Sequence, residues 1–530
     1  MPAAVIATAL ALGLFGRMEW QWVPLGWVAL VPWLAALDRV RSWRAALAAG
    51  LLMTVAFVWV ILGWFAGAIE NYTGAPAVVG LLVLLLLSPL MQPQFVPFVF
   101  ARHLAQRRHS GRWRTALTGA CVYVGVEWAL PKLFADSLGH GLYGSKLMRQ
   151  AADIAGVHGL SFLLIIANEC VLAAIAALAP DKTKFSARWR HACAPASAVA
   201  VLVLGLLAYG AVRYEQLRDH APPSQRITAG IVQADISRYG QLAADLGTYD
   251  AVRMILDAHF ALSATALESR PLDLLVWPET VYPTTFGSPK SADGADFDRE
   301  IGAFVAAAGI PLVFGSYDGD ETGEFNAAVF LEPAADGRLD FETYRKVQLF
   351  PLTEYVPRWL DYAPVRGWLP WLGSWKAGPG PRAIPLSLRD RRSLRIAPLI
   401  CYEDLDPGHV IAAVRQGAEL IVTLSNDSWF AVGEGPRFHL MVSAFRSIET
   451  RRPQLRATNT GISAVITPTG ELLSTLGVHE RSHLTATVTP ASGATTLMLA
   501  WGDWFGSTAL VCGLALLGAP AWRPRAAFFR

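Results

Sequence analysis

Cys401 has the sequence surroundings of a nucleophile. It follows an apolar run, Leu394–Ile400, which predicts a buried strand, and a Tyr-Glu-Asp segment and a Pro-Gly turn come after it. In α/β sheets, functional sites gather at the carboxyl ends of strands. The other four cysteines fall in or at long apolar segments, which leaves Cys401 as a lone thiol. A buried, inert cysteine is the alternative interpretation.

Charged residues could activate this thiol, because a thiolate needs a base and a favourable charge environment. Glu279 ends another apolar run in LLVWPET, so we expect its side chain at the same sheet edge as Cys401. Lys346 lies in YRKVQLFP, and Glu354 follows eight residues later in LTEYVP. Taken alone, each charged residue could be a solvated surface group, although apolar and proline neighbours argue against this.

Histidine is the other common base, and no local pattern ties a histidine to Cys401. The histidines available in this part of the chain are His259, His409, His439, His479 and His483.

Short apolar runs alternate with helical patterns between residues 214 and 493, which predicts an α/β domain with a covered sheet. The predicted amphipathic helices are 247–269, 297–309 and 437–451. The predicted strands are Ile227–Gln233, Leu272–Trp277, Pro311–Ser316, Ala327–Leu331, Leu394–Cys401, Glu419–Ser425, Gln454–Thr458 and Ser463–Thr467.

Composition indicates that the rest of the chain lies in a membrane. The chain is 53% hydrophobic and 16% charged, whereas soluble proteins average about 25% charged residues. Eight apolar windows approach the length that crosses a hydrocarbon core of roughly 30 Å. They lie near 3–16, 21–37, 46–67, 77–100, 115–131, 153–179, 193–213 and 494–519.

Loop charges predict the orientation, because Lys and Arg accumulate on the cytoplasmic side. Eight spans with both termini inside put 15 basic residues on the cytoplasmic side and 4 on the other. The expected domains are a membrane domain of seven spans at 1–213, an external catalytic domain at 214–493, and a last span with its tail at 494–530. The cytoplasmic set is Arg39, Arg41, Arg44, Arg102, Arg107, Arg108, Arg112, Arg114, Lys182, Lys184, Arg188, Arg190, Arg523, Arg525 and Arg530.

Charge and motifs exclude several functional classes. Residues 225–490 hold 24 Lys and Arg against 31 Asp and Glu, so a nucleic-acid partner has no electrostatic support. Neither G-x-S-x-G nor H-E-x-x-H occurs, which argues against serine lipases and zinc proteases. With no cluster of metal ligands in the sequence, we expect neither a metal nor another cofactor.

Together these residues resemble a known family. Glu279 in WPET, Lys346 in YRKVQLFP and Cys401 in LICYED resemble the Glu-Lys-Cys triad of the nitrilase superfamily, in its usual chain order. With the membrane segments, TEYVP, TLSNDSWF at 423–430 and the run at 451–471, the whole chain resembles the apolipoprotein N-acyltransferase family. The implied fold is a membrane α-helical bundle of about eight spans with an extracytoplasmic α-β-β-α sandwich.

The resemblance implies a ping-pong transfer of the third acyl chain of bacterial lipoproteins, at the outer face of the inner membrane. Cys401 would attack the sn-1 ester of a phospholipid, typically phosphatidylethanolamine, and form a thioester. The α-amino group of a diacylglyceryl-cysteine apolipoprotein would then take the acyl chain. Glu279 suits the general base, and Lys346 with the backbone amide of Tyr402 suits the oxyanion site. Glu354 could orient Lys346, and Asn326, Glu403 and Asn426 are the other supporting residues.

Two departures from the family are expected to matter locally. The family commonly has Phe-Gly where this chain has Leu352-Thr353, which puts the backbone of that loop in question. A family tryptophan in the loop after the first strand is replaced near Tyr239–Leu242, which could change the acyl pocket.

Tryptophans are concentrated among prolines and glycines between residues 358 and 382. Because tryptophan favours the membrane interface, we hypothesise that this segment dips into the outer leaflet and gates lipid entry. An ordinary aromatic loop packed on the domain is the alternative. The tryptophans are Trp359, Trp368, Trp371 and Trp375.

Two other functions remain open on the sequence. The same triad could serve a membrane-tethered amidase of the nitrilase type that hydrolyses a small external C–N substrate. The chain could also be an inactive receptor or scaffold, which the intact triad disfavours. The membrane segments favour a lipid donor, since a small amide requires no eight-span anchor.

Overall fold

The structure is a computed structural model that describes residues 1–108, 111–179, 185–217, 225–236, 239–334, 337–369, 371–430, 433–491 and 493–519. It divides into two compact units. The helical unit comprises Met1–Glu70, Ala75–Gln216 and the residues from Asp503 onward, and the sheet unit comprises Asn71–Gly74 and Leu217–Gly502. Five residues of the cytoplasmic set lie outside the described residues: Lys182, Lys184, Arg523, Arg525 and Arg530.

The helical unit is built from apolar helices, as its composition predicts. A final helix at Trp504–Gly518 also belongs to this unit. The earlier helices are α1 (Pro2–Phe15), α2 (Val31–Leu37), α3 (Trp43–Ile61), α4 (Phe65–Thr73), α5 (Ala77–Met91), α6 (Phe95–Arg107), α7 (Arg112–Ala129), α8 (Ala152–Leu178) and α9 (Phe185–Gln216).

Among the described residues, four helical segments are long and apolar enough to cross a membrane: Trp20–Leu37, Trp43–Ile61, Met148–Leu178 and Arg188–Gln216. Helices α5 and α6 meet at a bend of 46° and would make a fifth crossing if they form one broken span. The first and last helices of the unit are apolar but shorter. The count of eight spans therefore stays a prediction.

The sheet unit contains two mixed β-sheets. In the described chain one sheet has the order β13-β1-β2-β4-β5-β6, with β3 paired to β4, and the other has the order β12-β11-β10-β9-β8-β7. The strands are β1 (Ile227–Gln233), β2 (Leu274–Val276), β3 (Tyr282–Thr285), β4 (Leu312–Asp320), β5 (Gly323–Pro333), β6 (Leu339–Arg345), β7 (Ile384–Ser387), β8 (Ser393–Ile400), β9 (Leu420–Ser425), β10 (Gln454–Thr458), β11 (Ser463–Ile466), β12 (Leu472–Leu476) and β13 (Ser482–Val488).

Helices cover the outer faces of both sheets. The helices are α10 (Tyr239–Leu246), α11 (Thr248–Ser269), α12 (Ala292–Ala308), α13 (Ala363–Trp368), α14 (Pro407–Arg415), α15 (Gly435–Thr450) and α16 (Leu497–Trp501). Ser291 caps the start of α12 by accepting a hydrogen bond from the Gly294 amide at 3.1 Å, and Gly309 ends that helix with a left-handed φ of 63°.

Three buried layers show that this unit is an α-β-β-α sandwich. The central layer joins Ile231 and Val276 of the first sheet to Ile396, Val422 and Leu455 of the second, each at most 1% exposed. Helices α11 and α12 pack on the outer face of the first sheet, and α14 packs on the outer face of the second. The two sheets therefore share one core.

Strand direction brings several strand ends to one edge of each sheet. In the first sheet β2 and β4 are parallel, and because β5 reverses direction, β6 runs parallel to them again. In the second sheet β8, β9 and β10 are parallel. The residues that follow β2 and β6 therefore share one edge, and those that follow β8 and β9 share another.

Candidate active site

Cys401 lies at a strained turn immediately after β8. The buried strand ends at Ile400, and Cys401 opens a one-turn 3₁₀ helix, Cys401–Leu405. Its φ of +51° is in the left-handed region, which non-glycine residues adopt at a cost and which recurs at active sites. The side chain is partly buried, as a nucleophile that must meet a substrate requires.

Glu279 is held by two hydrogen bonds at the edge of the first sheet. The amide of Asn326 donates to Oε1 at 2.7 Å, and the backbone N–H of Asn426 donates to Oε2 at 2.8 Å. The carboxylate is 6% exposed. A Cβ on Gly315 would lie 2.5 Å from the Glu279 Cα, so β4 can pass this turn only with glycine there.

Lys346 follows β6 directly and is 1% exposed. Its Nζ donates to Glu354 Oε1 at 2.8 Å and lies 3.5 Å from Glu279 Oε1. Asn326 also bridges the two carboxylates, since its amide lies 3.1 Å from Glu354 Oε1. The lysine is thus fixed between two glutamates, and one of them is fixed in turn by the second sheet through Asn426.

The site charges act on one another. Burial raises the pKa of Glu279, although Lys346 opposes the shift. Burial alone would lower the pKa of Lys346, but Glu354 and Glu279 outweigh it and raise that pKa above its ordinary value. Burial and the Glu279 charge raise the pKa of the Cys401 thiol, against the lowering effect of Lys346. The resting state is therefore a protonated thiol beside a carboxylate base and a permanent ammonium.

Glu403 connects the loops around the site through hydrogen bonds. Its Oε1 accepts from the Tyr344 hydroxyl at 2.8 Å and the Val347 amide at 2.6 Å, and its Oε2 accepts from the Ile400 amide at 2.7 Å. The buried carboxylate therefore joins the end of β8 to the segment that carries Lys346.

An aromatic group lies beside the nucleophile. The ring of Tyr402 meets Phe350 edge to face at 5.0 Å, Phe350 lies 5.5 Å from Trp429, and Trp429 stacks on Phe430 at 3.9 Å. Phe350, Trp429 and Phe430 were not expected at the site from the sequence. Their positions just after Lys346 and Asn426 were the available signal.

The four tryptophans of the candidate lid do not share one environment. Trp359 and Trp368 are 78% and 80% exposed. Trp371 packs with Val356 and neighbouring apolar residues in a small cluster, and Trp375 lies 4.6 Å from the ring of Tyr317.

The loop that departs from the family pattern still delivers Glu354. Leu352 adopts a φ of +65°, and its amide donates to the carbonyl of Tyr355 at 2.9 Å. Glu354 Oε2 accepts from the Phe350 amide at 2.7 Å, so the loop is closed by the same carboxylate that binds Lys346. The second difference from the family is the missing tryptophan near Tyr239–Leu242. Here Tyr239 and Leu242 pack against the core between the first sheet and its helices.

The structure brings together the triad and its supporting residues at the junction of the two sheets. Glu279, Lys346 and Asn326 come from the first sheet, and Cys401 and Asn426 from the second. The expectation that Glu279 and Cys401 share one sheet edge is therefore wrong, because the strands before them belong to different sheets. In the described part of the chain no group of three or more His, Cys, Asp or Glu side chains could hold a metal ion.

Two family models match the chain. The one described as "Apolipoprotein N-acyltransferase N-terminal domain" covers residues 8–170, and the one described as "Carbon-nitrogen hydrolase" covers residues 228–496.

Curated relatives match over most of their length. The apolipoprotein N-acyltransferase of Geobacter metallireducens is 30% identical, over 94% of this chain and 91% of its own. That of Caulobacter vibrioides is 31% identical, over 79% and 75%. Among solved structures, an amidase from Nesterenkonia sp. is 20% identical, with 51% of this chain and 91% of that chain covered and a TM-score of 0.34.

Proposed function

Because this chain belongs to the apolipoprotein N-acyltransferase family, we propose that Cys401 carries the acyl chain from a phospholipid to a lipoprotein amine. The protein is an acyltransferase of the membrane, and its substrates are lipid and lipoprotein. The residue assignment rests on one observation. Glu279, Lys346 and Cys401 lie close together where strand ends of the two sheets meet.

In the first half-reaction Cys401 Sγ attacks the ester carbonyl of the donor. Glu279 takes the thiol proton as the S–C bond forms, which its raised pKa favours. The oxyanion is stabilised by Lys346 and the backbone N–H of Tyr402. Collapse breaks the ester C–O bond, Glu279 returns the proton to the leaving oxygen, and a thioester and a lysophospholipid result.

In the second half-reaction the α-amino group of the apolipoprotein attacks the thioester carbonyl. Glu279 accepts a proton from the amine, and Lys346 again faces the oxyanion. The C–S bond breaks, the thiol regains its proton, and the product is an amide. Glu354 keeps Lys346 aimed at the reacting carbonyl through the 2.8 Å ion pair.

The same proposal includes the donor lipid and the placement of the chain in the membrane. The donor is phosphatidylethanolamine, cleaved at its sn-1 ester. The chain crosses the bacterial inner membrane eight times with both termini in the cytoplasm, and the sheet unit faces the periplasm. The excess of basic residues in the loops assigned to the cytoplasm supports this orientation.

The segment between residues 358 and 382 is proposed to admit lipid from the outer leaflet. Trp359 and Trp368 carry this role, because their exposed rings suit the membrane interface. Trp371 and Trp375 instead pack on the sheet unit and hold the base of the segment.

The thioester is the intermediate to test. Purified protein is incubated with phosphatidylethanolamine labelled in its sn-1 chain, and the Cys401 peptide is analysed by mass spectrometry before the apolipoprotein is added. We expect a hydroxylamine-sensitive acyl group that disappears when the acceptor is added. Cys401→Ser removes it, whereas Cys512→Ser, which changes an exposed cysteine of the helical unit, retains it. A folded protein without acylated Cys401 would refute the proposal.

The amidase alternative differs in its acceptor, which is water. It predicts that a small amide is hydrolysed to a carboxylic acid and ammonia or an amine, without transfer to the apolipoprotein. Similarity to acyltransferases over most of the chain disfavours this alternative.

A further inference from the structure

Four charged side chains are buried together behind the candidate nucleophile. Asp404, Asp427, His439 and Arg456 are 0%, 2%, 5% and 0% exposed. They come from four elements: the 3₁₀ turn after β8, the 3₁₀ turn after β9, helix α15 and strand β10. We call these four residues the buried charge cluster. Burying ionised groups is costly unless their charges are paired.

The two carboxylates enclose the two basic groups. Arg456 reaches Asp404 Oδ2 at 2.5 Å and Asp427 Oδ2 at 3.4 Å. The ring of His439 lies between the same carboxylates, with Nε2 3.0 Å from Asp404 Oδ1 and Nδ1 3.2 Å from Asp427 Oδ1. Each carboxylate thus faces both basic residues.

His439 must be protonated for the cluster to be neutral. Two carboxylates balance one guanidinium only if the imidazole carries the second positive charge. Burial and Arg456, whose Nη2 lies 2.8 Å from Nδ1, lower the pKa of His439. Asp404 and Asp427 outweigh both and raise the pKa of His439 to about 9.

Among the described residues, these three partners are the charged groups within hydrogen-bond distance of His439. Since the folded-state pKa of His439 is raised, the imidazolium is present at neutral pH and is lost as pH rises through about 9.

The cluster is linked to the catalytic residues through the backbone. Asp404 lies three residues after Cys401 in the same turn. Asp427 follows Asn426, whose N–H binds Glu279, and its charge raises the pKa of the Cys401 thiol. A Cβ on Gly461 would lie 2.1 Å from Asp427 Oδ2, so the chain is shaped to admit this carboxylate.

We infer that His439 and Arg456 are positioning residues that neutralise Asp404 and Asp427 and so keep the nucleophile turn in place without a net negative charge behind the thiol. The inference rests on the proposed role of Cys401 as nucleophile. His439 acts through the two aspartates and does not contact the reacting atoms. Without its proton, one unbalanced negative charge would remain in the protein interior close to Cys401.

Alkylation of Cys401 by iodoacetamide at pH 7.5, followed on the Cys401 peptide, tests this inference without any lipid. At a pH far below the thiol pKa, the rate follows the thiolate fraction. His439→Gln leaves a net negative charge, and we expect alkylation to slow about tenfold. Asp404→Asn is nearly isosteric and leaves one carboxylate facing Arg456 and His439, so no net negative charge arises and alkylation is not slowed.

The double variant His439→Gln/Asp404→Asn separates charge from shape. In this variant Asp427 and Arg456 alone balance each other, so the cluster is neutral as in wild type. We therefore expect Cys401 to be alkylated at a rate within about twofold of wild type. His479→Gln is the matched control, since His479 pairs with Asp235 at 2.9 Å elsewhere on the sheet unit and is largely exposed.

The inference is overturned if His439→Gln is alkylated at the wild-type rate, if the double variant is as slow as the single, or if Asp404→Asn is also slow. A failure of the proposed acyltransferase reaction would look different. It would leave these alkylation rates as expected and abolish only the acylated peptide.

Discussion

At the residue scale, Lys346 is the group whose removal should cost most after the nucleophile. It is buried between Glu279 and Glu354 and carries the positive charge of the triad. We expect Lys346→Met to lower the rate of thioester formation by about 10²- to 10³-fold, the usual cost of losing one oxyanion donor. Single-turnover measurements with labelled phospholipid check this.

The control for this variant is Lys290→Met, because Lys290 is an exposed lysine of the same unit and lies outside the 358–382 segment. It should transfer acyl chains at the wild-type rate. Equal rates in both variants would mean that Lys346 takes no part in the reaction and only forms a structural ion pair.

The raised pKa of Glu279 predicts the acid limit of the enzyme. A base with a raised pKa is protonated, and therefore ineffective, at higher pH than an ordinary glutamate. As pH decreases, kcat/KM should therefore begin to fall at a pH above the usual range of carboxyl pKa values. Asn326→Ala removes a hydrogen bond that favours the charged form, so it should move this limit to still higher pH. An acid limit unchanged by Asn326→Ala would contradict the assignment.

Glu279 and Cys401 could be expected at sheet edges because each comes shortly after an apolar strand, whereas Lys346 follows β6, which has no continuous apolar run, and was predicted only from the motif YRKVQLFP. The buried charge cluster could not be predicted in this way. His439 lies on a helix whose sequence resembles that of any amphipathic helix. Arg456 lies inside a strand, where a charged residue is unexpected. Only the packing of α15 on the second sheet brings their side chains to Asp404 and Asp427.

At the scale of elements, the exposed tryptophans give the test of lipid entry. We expect Trp359→Ser combined with Trp368→Ser to slow transfer from phospholipid in vesicles by about tenfold, because each ring loses interfacial contact. Transfer from a short-chain donor dispersed in detergent should be unaffected. The paired control, Trp375→Phe, keeps an aromatic ring against Tyr317 and should leave both rates unchanged. Equal loss with both donors would mean that the segment does not gate lipid.

The strands were predictable where both faces are buried. All eight apolar runs proposed from sequence correspond to strands, although β4 ends four residues later and β5 begins four residues earlier than proposed. The strands that were missed are short or lie near sheet edges. Strand β6 has exposed and half-buried positions in LDFETYR, and β12 alternates exposed and intermediate residues, so neither shows a continuous apolar run.

At the scale of the whole molecule, orientation in the membrane can be measured. In a background with every cysteine replaced by serine, Lys290→Cys marks an exposed site of the sheet unit and Arg44→Cys an exposed site of the helical unit. A membrane-impermeant maleimide applied to spheroplasts should label position 290 but not position 44. Lysis should expose both. Labelling at 44 before lysis would reverse the proposed topology.

Composition predicted the division into an apolar and an acidic part, since charge and hydropathy change together along the chain. The number of crossings is harder to obtain from sequence. Helix α7 is an example, because it contains Arg112, Arg114 and Glu127. These charges are compatible either with a span whose ends lie at the interface or with a helix buried in protein.

The origin of the triad in two sheets has a consequence for biosynthesis. Glu279 and Lys346 leave the ribosome first, Cys401 follows, and Arg456, which completes the buried charge cluster, comes later still. Until the second sheet has formed, the nascent chain holds a base and an ammonium without a correctly held thiol. In the proposed mechanism an unfinished chain therefore cannot attack a lipid ester of the membrane that receives it, and release of the lysolipid, a detergent, waits for the complete chain.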